Sequence, residues 1–309
     1  MKTTGIHHIT AIVGDPRENV QFYERILGLH LVKQTVNFDD PLTYHLYFGN
    51  EEGAPGTLMT FFPRPKGRPG KIGGGQVGEA VFSVKKGALP FWLARLQKAG
   101  ISVEEHRRGE EPILLFKDPH GLVLQIREGR MQEVAKDFME IPAAHRLQGF
   151  SGAVLYSMDP QKTERALTDL LGFVEVRRTK DYARFESPGP LGNEVDVYQV
   201  PRERGSLGTG VVHHIAFRAK DEQEQEAFKE KGQNLSYGVT EVKDGKYFKA
   251  IYLREWGGNL FEIATDPPGF SVDEEKGVLG RKLMLPEIYE DRRGEIESVL
   301  LPLRRHHED

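Results

Sequence analysis

Apolar and polar positions along this chain spell one short order of elements, and that order recurs four times. From Gly5 the run IHHITAIV alternates as a strand does, and Asp15-Pro16 then supplies a helix start with proline in the first turn. Val20, Phe22, Tyr23, Ile26 and Leu27 recur at helical spacing up to Gly28, a residue suited to ending a helix. Three more strand-like runs follow, LHLVKQTV, TYHLYFG and TLMTFF, separated by Asp39-Asp40-Pro41 and by a turn around 53–56. Residues 1–66 therefore form a first module of strand, helix and three strands (βαβββ). A second module, 77–128, reads the same way: GEAVFSV, an amphipathic LPFWLARLQKAG ending at Gly100, then SVEEHRR, PILLFKD and LVLQIRE.

Between these modules KGRPGKIGGGQ (66–76) matches no GxxxxGK[ST] pattern and reads as a flexible connector rather than a phosphate loop. Residues 129–148, with Met131, Val134, Phe138 and Met139 among charges, are predicted as a connecting helix and a loop through Pro142. A third module, 149–202, copies the first: Asp15-Pro16 and Leu27-Gly28 return as Asp159-Pro160 and Leu171-Gly172 at one constant offset of 144 residues. The fourth, 211–266, copies the second, since DPHGLVLQI (118–126) aligns with EWGGNLFEI (255–263). A tail, 267–309, carries a predicted helix near Pro286 to Leu300. The expected fold class is α+β, with four βαβββ modules forming two open-barrel domains.

The repeat also tests which modules carry chemistry. His7-His8 opens the first module, His213-His214 opens the fourth, and Glu262 interrupts the apolar run LFEIA that closes it. The 144-residue offset carries His8 onto Gly152, while aligning module two on module four sets Glu79 against His214 and Gln125 against Glu262. Modules two and three thus keep the framework without the donors. Because metal ligands converge within about 2 to 2.2 Å of one ion, modules one and four are expected to pair around a metal held by His8, His214 and Glu262. Two imidazoles and one carboxylate form a facial set that leaves positions open for substrate and dioxygen and suits Fe(II). Strand alternation puts His8 and Thr10 on one face and His7 on the other; Ala216 and Ala264, beside the donors, leave room. Taken singly, a His-His pair at a strand start reads as a surface or capping pair. Two such pairs in one repeated unit, with a carboxylate that burial would leave in need of a partner, favour the metal.

Composition narrows the field. A chain of 309 residues has room for two cored domains, and a formal charge of −4 gives no basic stripe for nucleic acid. There is no cysteine, which excludes disulfides, thiolate metal sites and a cysteine nucleophile. With no apolar run of about eighteen residues and no signal-peptide layout at the N-terminus, a cytoplasmic protein without a membrane partner is expected.

The motifs GIHHIT, DDPLTYHLYFG, VHHIAF and YFKAIYLREWGGNLFEIATD resemble those of the vicinal oxygen chelate (glyoxalase/extradiol dioxygenase) superfamily, within it the ring-cleaving dioxygenases that act on hydroquinones. The likeness covers nearly the whole chain. It implies an Fe(II)-dependent extradiol-type dioxygenase, with Mn(II) as the alternative ion, and a small aromatic diol and O2 as its partners. The metal ligands would be His8, His214 and Glu262. The resemblance adds catalytic roles for His7, Thr10, His213 and Tyr252; for His7 and His213 these require a twist or bulge at the strand start. One departure is visible. Relatives of this type have Arg after the Asp that precedes the Tyr-Phe pair, whereas here Asp244 is followed by Gly245 and Lys246. Lys246 is the expected substitute, although a flexible ammonium does not equal a planar guanidinium.

His45 and Tyr47 are expected to line the cavity, unless they belong to an ordinary strand face; Phe61, Phe62, Phe248 and Trp256 are read as core or pocket wall. Two rival functions use the same scaffold. A glyoxalase-like isomerase or lyase needs a fourth protein ligand on the closing strand of module one, and TLMTFF has no Asp, Glu, Gln or His. A metal-free binding or resistance protein has no use for the His/His/Glu set. Homo-oligomerisation is left open by the sequence.

Overall fold

The computed structural model describes residues 1–129 and 136–303. Module one folds as β1 (Ile6–Val13), α1 (Pro16–Val20), β2 (His30–Asn37), β3 (Asp40–Gly49) and β4 (Leu58–Pro63). Module two gives β5 (Gln76–Val84), α2 (Leu89–Lys98), β6 (Val103–Arg108), β7 (Glu111–Lys117) and β8 (Val123–Glu128). Module three gives β9 (Phe150–Tyr156), α3 (Pro160–Arg165), β10 (Val174–Arg178), β11 (Tyr182–Glu186) and β12 (Glu194–Tyr198). Module four gives β13 (Val211–Ala219), α4 (Glu222–Asn234), β14 (Lys243–Asp244), β15 (Phe248–Arg254) and β16 (Leu260–Pro268).

The repeat is visible in local detail. Asp15 and Asp159 both cap their helices, accepting from the backbone N–H groups of Arg17 and Lys162, with Pro16 and Pro160 in the first turn. Each helix then widens into a π-helical turn, where the N–H of Leu27 reaches the carbonyl of Phe22 and that of Leu171 reaches Ala166. Gly28 and Gly172 follow with φ of 67° and 76°, the left-handed conformation that releases the chain into the next strand.

Two eight-stranded sheets result, ordered β14-β15-β16-β13-β1-β4-β3-β2 and β10-β11-β12-β9-β5-β8-β7-β6. Modules one and four share the first sheet and modules two and three the second, each pair joined through an antiparallel contact of opening strands, β1 with β13 and β5 with β9. The closing strands β4 and β16 run parallel to β1 and β13. The strands carrying His8, His214 and Glu262, namely β1, β13 and β16, are therefore three neighbours in the middle of one sheet. Ile6, Ile9, Ala11, Ile215 and Phe217 on these strands pack into the main core with Phe22, Tyr23 and Phe228 from the helices.

Two expectations are corrected. The turn between β2 and β3 falls at Phe38-Asp39, so of Asp39-Asp40-Pro41 only Asp39 lies in it, and Asp40 already pairs with Asn37. The connecting helix expected over 129–148 falls partly on 130–135, outside the described residues. From 136 onward only the single 3₁₀ turn Ala143–His145 forms, since Met139 and Glu140 take positive φ in a turn closed by Phe138 and Ile141. The tail helix is present as a 3₁₀ segment, Glu287–Arg292, leading into α5 (Arg293–Val299). It is anchored on module one by the hydroxyl of Tyr289 donating to the Phe38 carbonyl and by buried Leu285, Ile296 and Leu300.

Candidate metal centre

The side chains of His8, His214 and Glu262 converge, with all three donor atoms within 4.8 Å of one another. Nε2 of His214 lies 2.9 Å from Oε2 of Glu262, Nε2 of His8 lies 3.5 Å from the same oxygen, and the two Nε2 atoms are 3.3 Å apart. Ligands about 2.1 Å from one ion and 90 to 109° apart stand about 3.0 to 3.4 Å from each other, so the triangle has the size an ion requires. The Glu262 carboxylate is completely buried, and neither oxygen receives a hydrogen bond of acceptable geometry. A buried carboxylate that faces two imidazoles and the Tyr252 phenol is costly unless a cation completes it. The residues fit a metal.

Charge states agree with this. Burial raises the Glu262 pKa, but the facing His8 and His214 outweigh it and hold the carboxyl well below its ordinary value. Burial lowers His8 despite the pull of Glu262, and drives His7 well below the imidazole range. His213 is lowered to about 3 by burial and then by the neighbouring His214. Burial thus favours the neutral imidazoles that metal coordination requires.

Regular alternation would send His7 and His213 to the opposite face, yet both sit against His8 and His214. The register between β1 and β13 slips between Ile6 and His8 on one strand and between Val212 and His214 on the other. His7 and His213 are thus the extra residues of two β-bulges, which raise local twist and re-aim side chains. Nδ1 of His7 lies 2.9 Å from Nδ1 of His8, and Nδ1 of His213 lies 2.8 Å from Nδ1 of His214. A ligand imidazole offering Nε2 to an ion carries its proton on Nδ1 and donates it there. Each preceding histidine therefore accepts on Nδ1 and fixes the ring of the one that follows. The second sheet keeps both bulges, with Gly78 and Ser151 as the extra residues.

At the positions equivalent to the donors that sheet is differently filled. Glu79 is ion-paired with Arg108 at 2.7 Å, and Arg108 reaches Asp196, which Arg184 clasps with two bonds of 2.8 and 3.1 Å. Gln125 is fully buried. An arginine-carboxylate cluster occupies what the first sheet leaves as a cavity.

That cavity, about 640 Å³, opens beside the triad and is lined by Ile12, His45, Tyr47, Phe62, His213, Phe248, Ala250, Tyr252 and Leu260. Tyr252 stands opposite Glu262 in the β15–β16 ladder, its ring 5.7 Å from that of His214, and burial followed by the Glu262 charge keeps its phenol protonated well above the usual range. Thr10 shares the His8 face but is wholly buried, its hydroxyl 2.7 Å from that of Thr60. His45 spans the hydroxyl of Thr60 (3.0 Å from Nε2) and the phenol of Tyr47 (2.8 Å from Nδ1).

Two expected residues, Lys246 and Trp256, lie elsewhere. Lys246 takes a left-handed turn (φ 67°) and extends to Asp273 of the tail at 2.8 Å, leaving Gly245 as a bare stretch of cavity wall. Phe61 is core, and Trp256 is 56% exposed and stacked on Tyr237. Sequence reading missed Thr60 and the charged mouth, where Arg64 faces the cavity and Lys243 meets Asp39 at 3.2 Å. The repeat could not expose them, because they belong to turns and closing strands where the modules diverge.

A family model for the Glyoxalase/Bleomycin resistance protein/Dioxygenase superfamily matches residues 5–126. Bacillus subtilis MhqO, named a putative ring-cleaving dioxygenase, is 51% identical over 302 residues, 97% of either chain. The chlorohydroquinone/hydroquinone 1,2-dioxygenase of Sphingobium indicum is 33% identical over 297 residues, 91% of either chain. A crystal structure described as a putative dioxygenase from B. subtilis superposes with a TM-score of 0.96 at 50% identity, covering 98% of this chain and 99% of that one. No helix among the described residues is long and apolar enough to cross a membrane.

Proposed function

This chain belongs to the glyoxalase/bleomycin resistance protein/dioxygenase superfamily, and from that premise we propose that it is a ring-cleaving dioxygenase of hydroquinone-like aromatic diols, dependent on Fe(II). The observation that carries the reading is the His8, His214 and Glu262 triangle opening on one side into a cavity with apolar walls. Such a donor set leaves coordination positions free, suits Fe(II) and also admits Mn(II). The name of MhqO gives ring cleavage, and that of the S. indicum relative gives hydroquinones as its substrates.

The bound ion would supply a meeting point for diol and dioxygen at which electron density passes from ring to oxygen. The protein's own part is orientation and proton management. Phe62, Phe248 and Leu260 clasp the ring faces and exclude water. Tyr252, a protonated phenol beside Glu262, is placed to donate a hydrogen bond to a substrate oxygen in the cavity. His213 lines the cavity and, with Nδ1 accepting from His214, presents its Nε2–H as a hydrogen-bond donor to a substrate oxygen. Thr60 stands on β4, where a glyoxalase-type site would carry its fourth ligand, and a hydroxyl already shared with Thr10 and His45 does not serve that end.

The test is oxygen uptake. Protein loaded anaerobically with Fe(II) should consume one O2 per hydroquinone, with loss of the aromatic absorbance. Iron-loaded protein that consumes no oxygen with any hydroquinone or catechol refutes the assignment.

A further inference from the structure

One polar row crosses the cavity wall. Tyr47 on β3 pairs in register with Thr60 on β4, Thr60 with Thr10 on β1, and Thr10 with His214 on β13. Residues paired across a ladder share a face, and His45, two positions before Tyr47, shares it as well. Along this row the hydrogen bonds are continuous, from the hydroxyl of Thr10 to that of Thr60, on to Nε2 of His45, and from its Nδ1 to the phenol of Tyr47. The hydroxyls are buried, and the surrounding wall is Ile12, Phe62, Phe248, Ala250 and Leu260.

A buried row of hydroxyls does nothing for the core that Val and Phe would not do at lower desolvation cost. Its organisation shows a different use. Both nitrogens of His45 are occupied by protein groups, so the imidazole is a fixed strut and not a free acid or base. A neutral imidazole has one N–H, so the chain runs in one of two senses. With the proton on Nδ1, His45 donates to Tyr47 and leaves the phenolic hydrogen for the cavity; with it on Nε2, Tyr47 donates to His45 and offers a lone pair. In both senses Tyr47 is the terminus that meets a ligand.

Its position is informative. Three strand spacings of about 4.8 Å separate Tyr47 from His214 along the row, and both line the one cavity. A hydroxyl that meets Tyr47 is therefore remote from one held at the triad, and not its immediate neighbour on the ring. The second oxygen of an ortho-diol would remain beside the triad; that of a para-diol lies at the far end of the ring.

Resting on the functional reading above, we propose that Tyr47 binds the second hydroxyl of a para-diol, and that Thr60 is a positioning residue that holds Tyr47 in place through His45. Discrimination between hydroquinones and catechols then resides in this row.

The test is equilibrium binding by calorimetry, with Fe(II)-loaded protein in the absence of oxygen and hydroquinone, catechol and phenol as ligands. Tyr47→Phe should weaken hydroquinone about tenfold while leaving phenol, which lacks the second hydroxyl, and catechol within twofold. Thr60→Val should act in the same direction by three- to fivefold and displace the ¹⁵N resonances of the His45 ring, and Thr60→Ser should restore both. Equal losses for hydroquinone and phenol in Tyr47→Phe, or no loss for either, overturn the proposal while the dioxygenase reading stands. Wild-type protein that binds none of the three overturns that reading, and the proposal with it.

Discussion

Replacing Glu262 with Gln separates the metal reading from every purely structural account of the triad. The substitution keeps the shape of the side chain and removes its charge, and the fold carries a natural control, since buried Gln125 is the counterpart of Glu262 in the second sheet. Loss of the single anionic ligand should exceed the 10- to 100-fold cost typical of a residue that merely supports a ligand, so about 100-fold, or about 2.8 kcal/mol, is the minimum expected. At a metal concentration of 100 times the wild-type Kd, binding stabilises wild-type protein by about 2.7 kcal/mol and the variant by only about 0.4 kcal/mol. For a chain of 309 residues that is a metal-induced rise in Tm of about 4 °C against about 0.6 °C. Without metal the order changes. The amide can donate to a neutral Nε2 and no buried charge remains, so the apo variant should be as stable as apo wild type or more so. Thermal denaturation with and without Fe(II) or Mn(II), beside a direct metal titration, measures both quantities. Glu262→Gln protein binding the metal within threefold of wild type would show that the triangle of donors is not its site.

Other expectations follow from the same structure. Imidazoles held neutral by burial, namely His213 at about 3, His30 at about 4, and His7 and His45 well below their ordinary value, take up protons more readily in the unfolded chain. Their stabilising contribution is complete above pH 6.5 and declines as pH falls toward 3; urea midpoints of the apo protein that stay level between pH 7 and 5 would contradict this. Lys33→Met should cost about 3 to 5 kcal/mol, because its buried ammonium, 2.6 Å from Asp273 and bonded to Glu274, anchors the tail to β2. A loss below 1 kcal/mol in urea denaturation would mean that the tail is held by its apolar contacts alone. Arg184→Met, which leaves Asp196 in the second sheet with Arg108 alone as its cationic partner, should cost about 1 to 3 kcal/mol while leaving metal affinity unchanged. A metal titration of that variant giving a weaker site would show the two sheets to be coupled.

The recurrence of one hydrophobic pattern at a constant offset determined the four modules, the helix starts at Asp15 and Asp159, and the modules that lack donors. These are local properties, written in side-chain period and capping chemistry. The sharing of sheets by modules one and four also followed, because ligands at opposite ends of a chain must meet. Tertiary structure alone decided what local periodicity cannot express. A strict two-residue period turns His7 and His213 away from the face of His8 and His214, and only the pairing of β1 with β13 reveals the extra residue that each strand inserts there. Lys246 looked available as a cation for the cavity until a left-handed turn and a carboxylate in the distant tail claimed it. Thr60 had no distinguishing mark in TLMTFF, since its hydroxyl acquires a role only where β4 lies between Thr10 and His45. Period and propensity act within a dozen residues, whereas bulges, long-range ion pairs and hydrogen-bonded rows are settled by which strands become neighbours.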